Sequence, residues 1–334
     1  MPCIREIREK QEELIIGPCG TLSSRSRGRC IPEAEDEVRT CFQRDVDRVT
    51  HSKAFRRLRH KTQVFLQPEG DHYRTRLTHT LEVARVARTI ARALQLNEDL
   101  VEAISLGHDL GHTPFGHAGE RALRDIAGQF HHYEQSLRVV DKLEKDGRGL
   151  NLCHETRIGI LNHTTGEPKD TVESALVRLA DHIAYLNHDL DDAERAGIVT
   201  GADVPEIIRA RIGARNSQRL NAMVTDVIES SAGGVIRFSP SMKEAYDVFY
   251  AYMYEAVYRN PEAKGEESKV KDLLGPVVEY FASHPELLPG AEYRRIAEEE
   301  GPMRAAVDYV SGMTDSFAVE TFEDLFIPKS WKIK

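Results

Sequence analysis

The 334-residue chain contains no apolar run approaching the roughly 18 residues that span a bilayer. This absence argues against a membrane-spanning protein. Cysteine is scarce: five residues, at positions 3, 19, 30, 41 and 153. The count is odd and the spacing matches no close-paired zinc motif, so reduced cytosolic thiols are expected rather than a disulfide framework. Positive charge is in deficit, with 45 Lys and Arg against 54 Asp and Glu, a net charge of −9. A general nucleic-acid binder is not the first reading of such a balance. Strand signals are few. "TQVFLQ" (62–67) and "GVIRFS" (234–239) are candidate extended pieces, without partners enough for a sheet. Internal repeats and low-complexity tracts are absent. The N-terminal "MPCIREIREKQEELIIG" is charged and helical in character, with no signal-peptide apolar region, so a cytoplasmic location is expected.

Helical periodicity fills the space those absences leave. "TLEVARVARTIARAL" (80–94) sets Val83, Val86, Ala87, Ile90 and Leu94 three and four apart, the pattern of an amphipathic helix. Further helices are expected over 98–110, over 114–127 from a Thr113–Pro114 cap, over 132–147 ending at Gly147, and over 171–197, 241–259 and 305–326. Loops are expected at 20–37, 145–153, 163–170, 259–270 and 284–302, where Gly, Pro or charge accumulates. The fold class is therefore all-α. The expected organisation is an N-terminal segment over 1–41, a core over 42–235 and a C-terminal helical part over 236–334. The aromatic "YDVFYAYMYEAVY" (246–258) reads as core before interface.

One stretch stands apart. "GHDLGHTPFGHAGE" (107–120) gathers three histidines, an aspartate and a glutamate among glycines and a proline that would spoil an ordinary buried helix. His108 and Asp109 form a nitrogen and oxygen pair suited to Mn, Fe, Zn or Mg rather than to a thiolate site. His79 opens the 80–94 helix, and Asp181 lies among Leu179, Ala180, Ile183 and Ala184. Taken singly, His79 reads as a surface or capping residue and Asp181 as an ion-pair partner of Arg178. Taken in order, His, His-Asp and a core-facing Asp resemble the HD-type arrangement of metal-dependent phosphohydrolases, and a carboxylate such as Asp181 is costly to bury unless it is paired or bound to metal. His117 and Glu120, three apart, share a helix face, where the carboxylate would fix the tautomer of the imidazole and raise its pKa. Asp181 and Tyr185, four apart, also share a face. A cation-rich segment, Arg48, Lys53, Arg56, Arg57, Arg59 and Lys61, suits a polyanionic ligand, or else a solvated basic face.

These motifs resemble the deoxynucleoside triphosphate triphosphohydrolases of the HD-domain superfamily, the bacterial dGTPase-like branch. "FQRDVDRVTHSKAFRRLRHKTQVF" (42–65), "RTRLTHTLEVARVART" (74–89), "GHDLGHTPFGHAGE", "HYEQSLRVV" (132–140), "LADHIAYLNHDLDD" (179–192) and "DYVSGMTDSFA" (308–318) follow the family order. The resemblance implies an HD-domain helical bundle that hydrolyses a dNTP, dGTP among the substrates, to deoxynucleoside and tripolyphosphate. It implies His79, His108, Asp109 and Asp181 as ligands of a divalent ion, one of Mn, Mg, Fe, Ni, Co or Zn. It places His112 near the phosphates and the attacking water. His117 becomes the general acid, Glu120 its orienting carboxylate, and His132 a further pocket histidine. Arg76 and Tyr185 would contact phosphate, and Gln63 the sugar edge. The family also implies a homo-oligomer, an activating dNTP and single-stranded DNA as candidate partners. Tyr133, where relatives often carry asparagine, and His182, where some carry lysine or glutamate, depart from the pattern. The alternatives are another HD phosphohydrolase, such as a 5′-deoxynucleotidase or a cyclic-nucleotide or alarmone hydrolase, and a binding protein without catalysis.

Overall fold

The computed structural model describes residues 2–63, 73–164, 170–260 and 265–329. Among these residues the secondary structure is helical. Pairing of extended backbone is limited to isolated bridges, Arg29 with Cys153, Thr62 with Thr75 and Ala232 with Val235. The 234–239 piece thus makes one bridge and no strand. Of 62–67, only Thr62 and Gln63 lie within the described residues. All five cysteines are free thiols, and no described helix is long and apolar enough to cross a membrane.

The helices, in chain order, are α1 (Ile4–Ile15), α2 (Cys41–Thr50), α3 (Lys53–Arg57), α4 (Arg76–Ala93), α5 (Glu98–Gly107), α6 (Gly116–Ala127), α7 (His132–Arg138), α8 (His154–Leu161) and α9 (Val172–Arg195). They continue with α10 (Glu206–Arg211), α11 (Asn216–Ser230), α12 (Pro240–Met253), α13 (Glu267–Ser283), α14 (Ala291–Glu299), α15 (Pro302–Ser311) and α16 (Asp315–Phe326). Several boundaries differ from the sequence reading. The helix expected from Thr113–Pro114 begins at Gly116, because Thr113 turns its hydroxyl onto the Gly116 carbonyl and Phe115 takes a left-handed conformation at φ 62°. The helix expected over 132–147 ends at Arg138, widens into a π turn over Val139–Leu143 and closes through left-handed Lys145 and Asp146. The helix expected over 305–326 is two, α15 and α16, broken where the Thr314 side chain caps the Phe317 amide. The expected 284–302 loop contains α14.

Three apolar clusters hold the helices. The first joins α4, α5 and α9 with α11 and α12, through Val83, Ile90, Leu100, Leu186, Met223 and Phe249. The second packs α6 against α13 to α16, through Leu123, Leu274, Val278, Ile296 and Val310. The third joins α2, α3, α5, α8 and the π turn, through Val49, Leu58, Leu106, Val140 and Ile160. Each buried Leu or Ile contributes roughly 1.5–3 kcal/mol of transfer free energy. Where the ends of α4, α5, α6 and α7 meet the middle of α9, the three clusters leave a cavity of about 720 Å³.

Candidate active site

Each wall of the cavity comes from a different helix. α4 is capped by the Thr75 hydroxyl on the Thr78 amide and carries Arg76 and His79 in its first turn. α5 is capped by Asn97 Oδ1 on the Asp99 and Leu100 amides, and its far end carries His108 and Asp109. That end is fastened to α7 by Ser136, whose Oγ donates to the His108 carbonyl at 2.6 Å and accepts from the Gly111 amide at 2.9 Å. Only glycine fits at 111, since a Cβ there would stand 2.1 Å from the Ser136 nitrogen. α9 contributes Asp181 and Tyr185 from its pocket face.

The four residues read as ligands converge. His79 Nε2 lies 3.1 Å from Asp181 Oδ1, His108 Nε2 lies 3.8 Å from the same oxygen, and His108 Nε2 lies 3.6 Å from Asp109 Oδ1. His79 is 2% exposed, which disposes of the surface-cap alternative. Burial alone would raise the Asp109 carboxyl, but the charges of His108 and Arg76 outweigh it and hold it well below its ordinary value. Asp181 is likewise lowered, its burial overcome by the hydrogen bond from His79 and the charge of His108. Both are therefore anionic at neutral pH. His108 Nδ1 is tied to the Ser105 carbonyl at 2.6 Å, while its buried Nε2 has no hydrogen-bond partner among the described residues. A tethered ring with a bare inward nitrogen, beside two carboxylates, fits a divalent ion.

The remaining residues are placed as follows. His112 is buried, with Nδ1 unpartnered, and burial followed by the charges of Arg76 and His132 drives it well below the histidine range. His117 Nδ1 is 3.4 Å from Glu120 Oε2, as the shared face requires. The same carboxylate oxygen lies 2.9 Å from His132 Nδ1. Glu120 is lowered because its histidine hydrogen bonds overcome its burial. His117 does not rise as expected from Glu120. Enclosure by the pocket wall, with Arg76 and His132, brings it down, an effect softened by the 66% of its side chain open to solvent. Arg76 Nη1 pairs with Asp109 Oδ2 at 2.6 Å while lining the cavity. Gln63 and Tyr185 line it too, and Gln63 Oε1 has no hydrogen-bond partner among the described residues.

The basic segment is not where a polyanion would meet it. Of Arg48, Lys53, Arg56, Arg57, Arg59 and Lys61, none lines the cavity. Arg48 binds the Leu150 and Asn151 carbonyls and Lys53 pairs with Asp146. Lys61 is 2% exposed, with Nζ donating to the carbonyls of His112 and Ser311. Among the described residues, the Lys and Arg side chains that line the cavity are Arg76, Arg121, Arg124 and Arg259. The aromatic run divides: Tyr246, Phe249 and Met253 enter the first cluster, while Tyr250 and Tyr254 face the cavity. His182 lines the cavity with Nδ1 2.7 Å from Tyr246 Oη, and Tyr133 stacks on His131 outside the lining.

Residues 76–186 match the HD domain family, and residues 236–324 match the phosphohydrolase-associated domain. A deoxyguanosinetriphosphate triphosphohydrolase-like protein of Caldanaerobacter subterraneus is 50% identical, over 98% of this chain and 97% of its own. The chain belongs to this triphosphohydrolase-like family of HD-domain enzymes. A protein of the same description from Clostridium perfringens is 45% identical over 98% of both chains. A solved phosphohydrolase from Bacteroides thetaiotaomicron shares the fold, with a TM-score of 0.52 and 19% identity over 82% of this chain and 67% of that one.

The enzyme's cavity also holds residues that sequence reasoning missed. Asp189 accepts a hydrogen bond from Tyr258 Oη at 2.6 Å, and burial pushes its carboxyl up to about 7. Its position was accessible from spacing: 181, 185 and 189 recur every four residues along one face of α9. His163, 1% exposed, lies just past α8, with its ring 4.9 Å from that of His108. Nothing local in "LNHTTG" marks it, because α8 brings it into place through its packing on α5 and α7.

Proposed function

We propose that the enzyme hydrolyses deoxynucleoside triphosphates, dGTP among them, to deoxynucleoside and tripolyphosphate by attack of water on the α-phosphorus. The observation that carries this reading is the union, in the lining of one cavity of about 720 Å³, of His79, Asp109 and Asp181 (with His108 packed beside them), the His117–Glu120 pair and the described arginines Arg76, Arg121, Arg124 and Arg259. The substrate class is supported by the description that the two relatives carry. A divalent ion in that ligand set would polarise a phosphoryl oxygen and lower the pKa of the attacking water. Arg76 holds Asp109 in place, and with Arg121 and Arg124 supplies positive charge to the triphosphate. His112, buried and neutral, stands beside the phosphates as a hydrogen-bonding group. His117, oriented by Glu120 and open to the cavity, delivers the proton to the departing 5′-oxygen. His132, set by the same carboxylate, completes that wall. Tyr185 keeps its proton because burial raises the phenol, so its hydroxyl donates to phosphate. Gln63 Oε1 and Asp189 Oδ1, both without a partner among the described residues, are acceptors for sugar hydroxyls.

The test is product analysis. Each of the four dNTPs is incubated singly and mixed with Mn²⁺ or Mg²⁺, and the products are resolved by ion exchange. Deoxynucleoside with intact tripolyphosphate is expected. Activity only in mixtures would assign an activating nucleotide. Release of orthophosphate or pyrophosphate would sink the reading in favour of another HD chemistry.

A further inference from the structure

Among the described residues, five carboxylates line the cavity beside its four arginines: Asp109, Glu120, Asp181, Asp189 and Glu267. The first four are bound up with the histidines, with Arg76 or with Tyr258. Glu267 is different. It opens α13 and pairs with Arg121 of α6, its side chain 13% exposed and that of Arg121 56%. A carboxylate on the wall opposes a polyanionic ligand, and this one sits on an arginine proposed above to meet the triphosphate. Arg121 lies one helical turn beyond His117, so a phosphate held there is next to the proton donor. Nor is the pair needed to join the two helices. One turn further along both, Asp125 and Lys271 pair at 2.9 Å, each side chain 57% exposed and neither lining the cavity. Beneath them Leu123 of α6 meets Leu274 and Val278 of α13 in the second apolar cluster. That apolar contact, rather than either ion pair, holds the helices together.

We propose that Glu267 is an internal competitor for polyphosphate, holding Arg121 when no phosphate is bound, yielding it to an entering triphosphate and reclaiming it as the product leaves. Glu267 is thus a positioning residue that acts through Arg121. The inference rests on the substrate reading above, and its rationale is the charge of the product. Water that attacks the α-phosphorus leaves an additional ionisable oxygen on the tripolyphosphate, which therefore binds arginine more tightly than its ester does. Binding that favours the product slows its release, and a carboxylate ready to take back one arginine offsets that preference.

The test is calorimetric titration of the full chain, in Mn²⁺, with inorganic tripolyphosphate, beside steady-state kinetics with dGTP. Wild type, Glu267→Gln, Arg121→Gln and the double variant are compared. Glu267→Gln should bind tripolyphosphate about three- to tenfold more tightly and lower KM for dGTP, with its urea midpoint unchanged. Arg121→Gln should bind tripolyphosphate more weakly, and in its background the Glu267 substitution should change affinity by less than about twofold. Asp125→Asn removes the same charge from the neighbouring pair outside the cavity and should leave the affinity unchanged. No binding by the wild type, unchanged or weaker binding in Glu267→Gln, the same tightening in Asp125→Asn, or equal tightening with and without Arg121 would overturn the proposal. If Glu267→Gln unfolds by circular dichroism, Glu267→Asp decides: its shorter side chain draws the carboxylate back from Arg121, and binding should tighten by a smaller factor, whereas unchanged or weaker binding counts against the competitor. Coupling between Glu267 and Arg121 in a chain that converts dNTPs to pyrophosphate or orthophosphate leaves the competitor standing and removes only the substrate reading. Tripolyphosphate released by a chain without that coupling does the reverse.

Discussion

Replacing Asp315 with asparagine tests how the C-terminal helices shape a cavity whose proposed ligands all precede residue 190. Asp315 is the first residue of α16, buried, and its carboxylate gathers three donors from the cavity's lip. Oδ2 accepts the Thr62 amide at 3.0 Å and the Thr62 hydroxyl, and Oδ1 accepts the Phe115 amide at 2.9 Å. In Asp315→Asn the amide oxygen can keep the Thr62 pair as ordinary hydrogen bonds, but the NH₂ group then meets the Phe115 N–H. One charge-assisted bond worth about 1.5–3 kcal/mol is lost and two are weakened. The expected cost is about 2–4 kcal/mol, read as a lower urea midpoint at unchanged slope. Phe115 also holds a left-handed backbone that a bulky residue adopts only under constraint, two positions before His117. Releasing its amide should therefore lower kcat under conditions where the variant is fully folded, with bound metal unchanged. A midpoint shift worth less than about 0.5 kcal/mol, together with a wild-type rate, would refute the reasoning.

Four further outcomes follow from the same geometry. Asp109→Ala should lose bound metal and activity together, since it removes the carboxylate at the centre of the cluster; an active, metal-free variant would dismantle the ligand assignment. His117→Ala should keep its metal and lose on the order of 10²-fold or more in rate, the scale of general-acid loss, checked by elemental analysis beside steady-state kinetics. Gly111→Ala should cost more than about 3 kcal/mol by thermal denaturation, because the new Cβ meets α7 backbone, which cannot step aside. Glu300 titrates at about 2, its slight burial outweighed by hydrogen bonds from Arg138 and Lys142. A depressed carboxyl stabilises above its unfolded pKa and loses that contribution as pH falls through its folded one. Wild type should thus exceed Glu300→Gln between neutrality and pH 4.5 and match it near pH 2, by no more than about 1 kcal/mol for a side chain 29% exposed.

What could be read from the chain was what lies within one helical turn or along one helical face. The period of α4 and α9, the His108–Asp109 pair and the three-residue step from His117 to Glu120 are of this kind. The convergence of His79 with Asp181 was legible only through motif order, because 102 positions separate them and their contact is made by α4 packing on α9. Helix α13 escaped the reading because Gly275 and Pro276 sit inside it. Burial of Leu274, Val277 and Val278 in the second cluster offsets the backbone bond that the proline removes. Helix α14 escaped because its charge resembles a loop, and only Ile296 is deeply buried. His163 and Asp189 escaped for opposite reasons. The first has no local signal, whereas the second lay on a periodicity already in use and one step further along it.

The basic segment carries the sharpest lesson about charge in sequence. Six cations without an acid read as an anion site, yet the fold distributes them among carbonyls, carboxylates and solvent. Lys61 is the extreme case. Burial and the neighbouring Arg57 lower its pKa well below the ordinary lysine value, and its amine joins the His112 carbonyl to the Ser311 carbonyl. It thereby ties the turn after Asp109 to the end of α15, as Asp315 ties the lip of the cavity to the start of α16. The two tethers flank the break between α15 and α16, and one of them, Asp315, reaches back 200 residues to Phe115 in the strained segment that presents His112 and His117, while Lys61 joins Ser311 to His112. Placement of those histidines therefore depends on two polar anchors in the C-terminal helices, whose consequence no local pattern in the 107–120 stretch could reveal. The geometry of the proposed site is a property of the junction between the apolar clusters, and substitutions at Lys61 or Asp315 should disturb it without touching a proposed ligand.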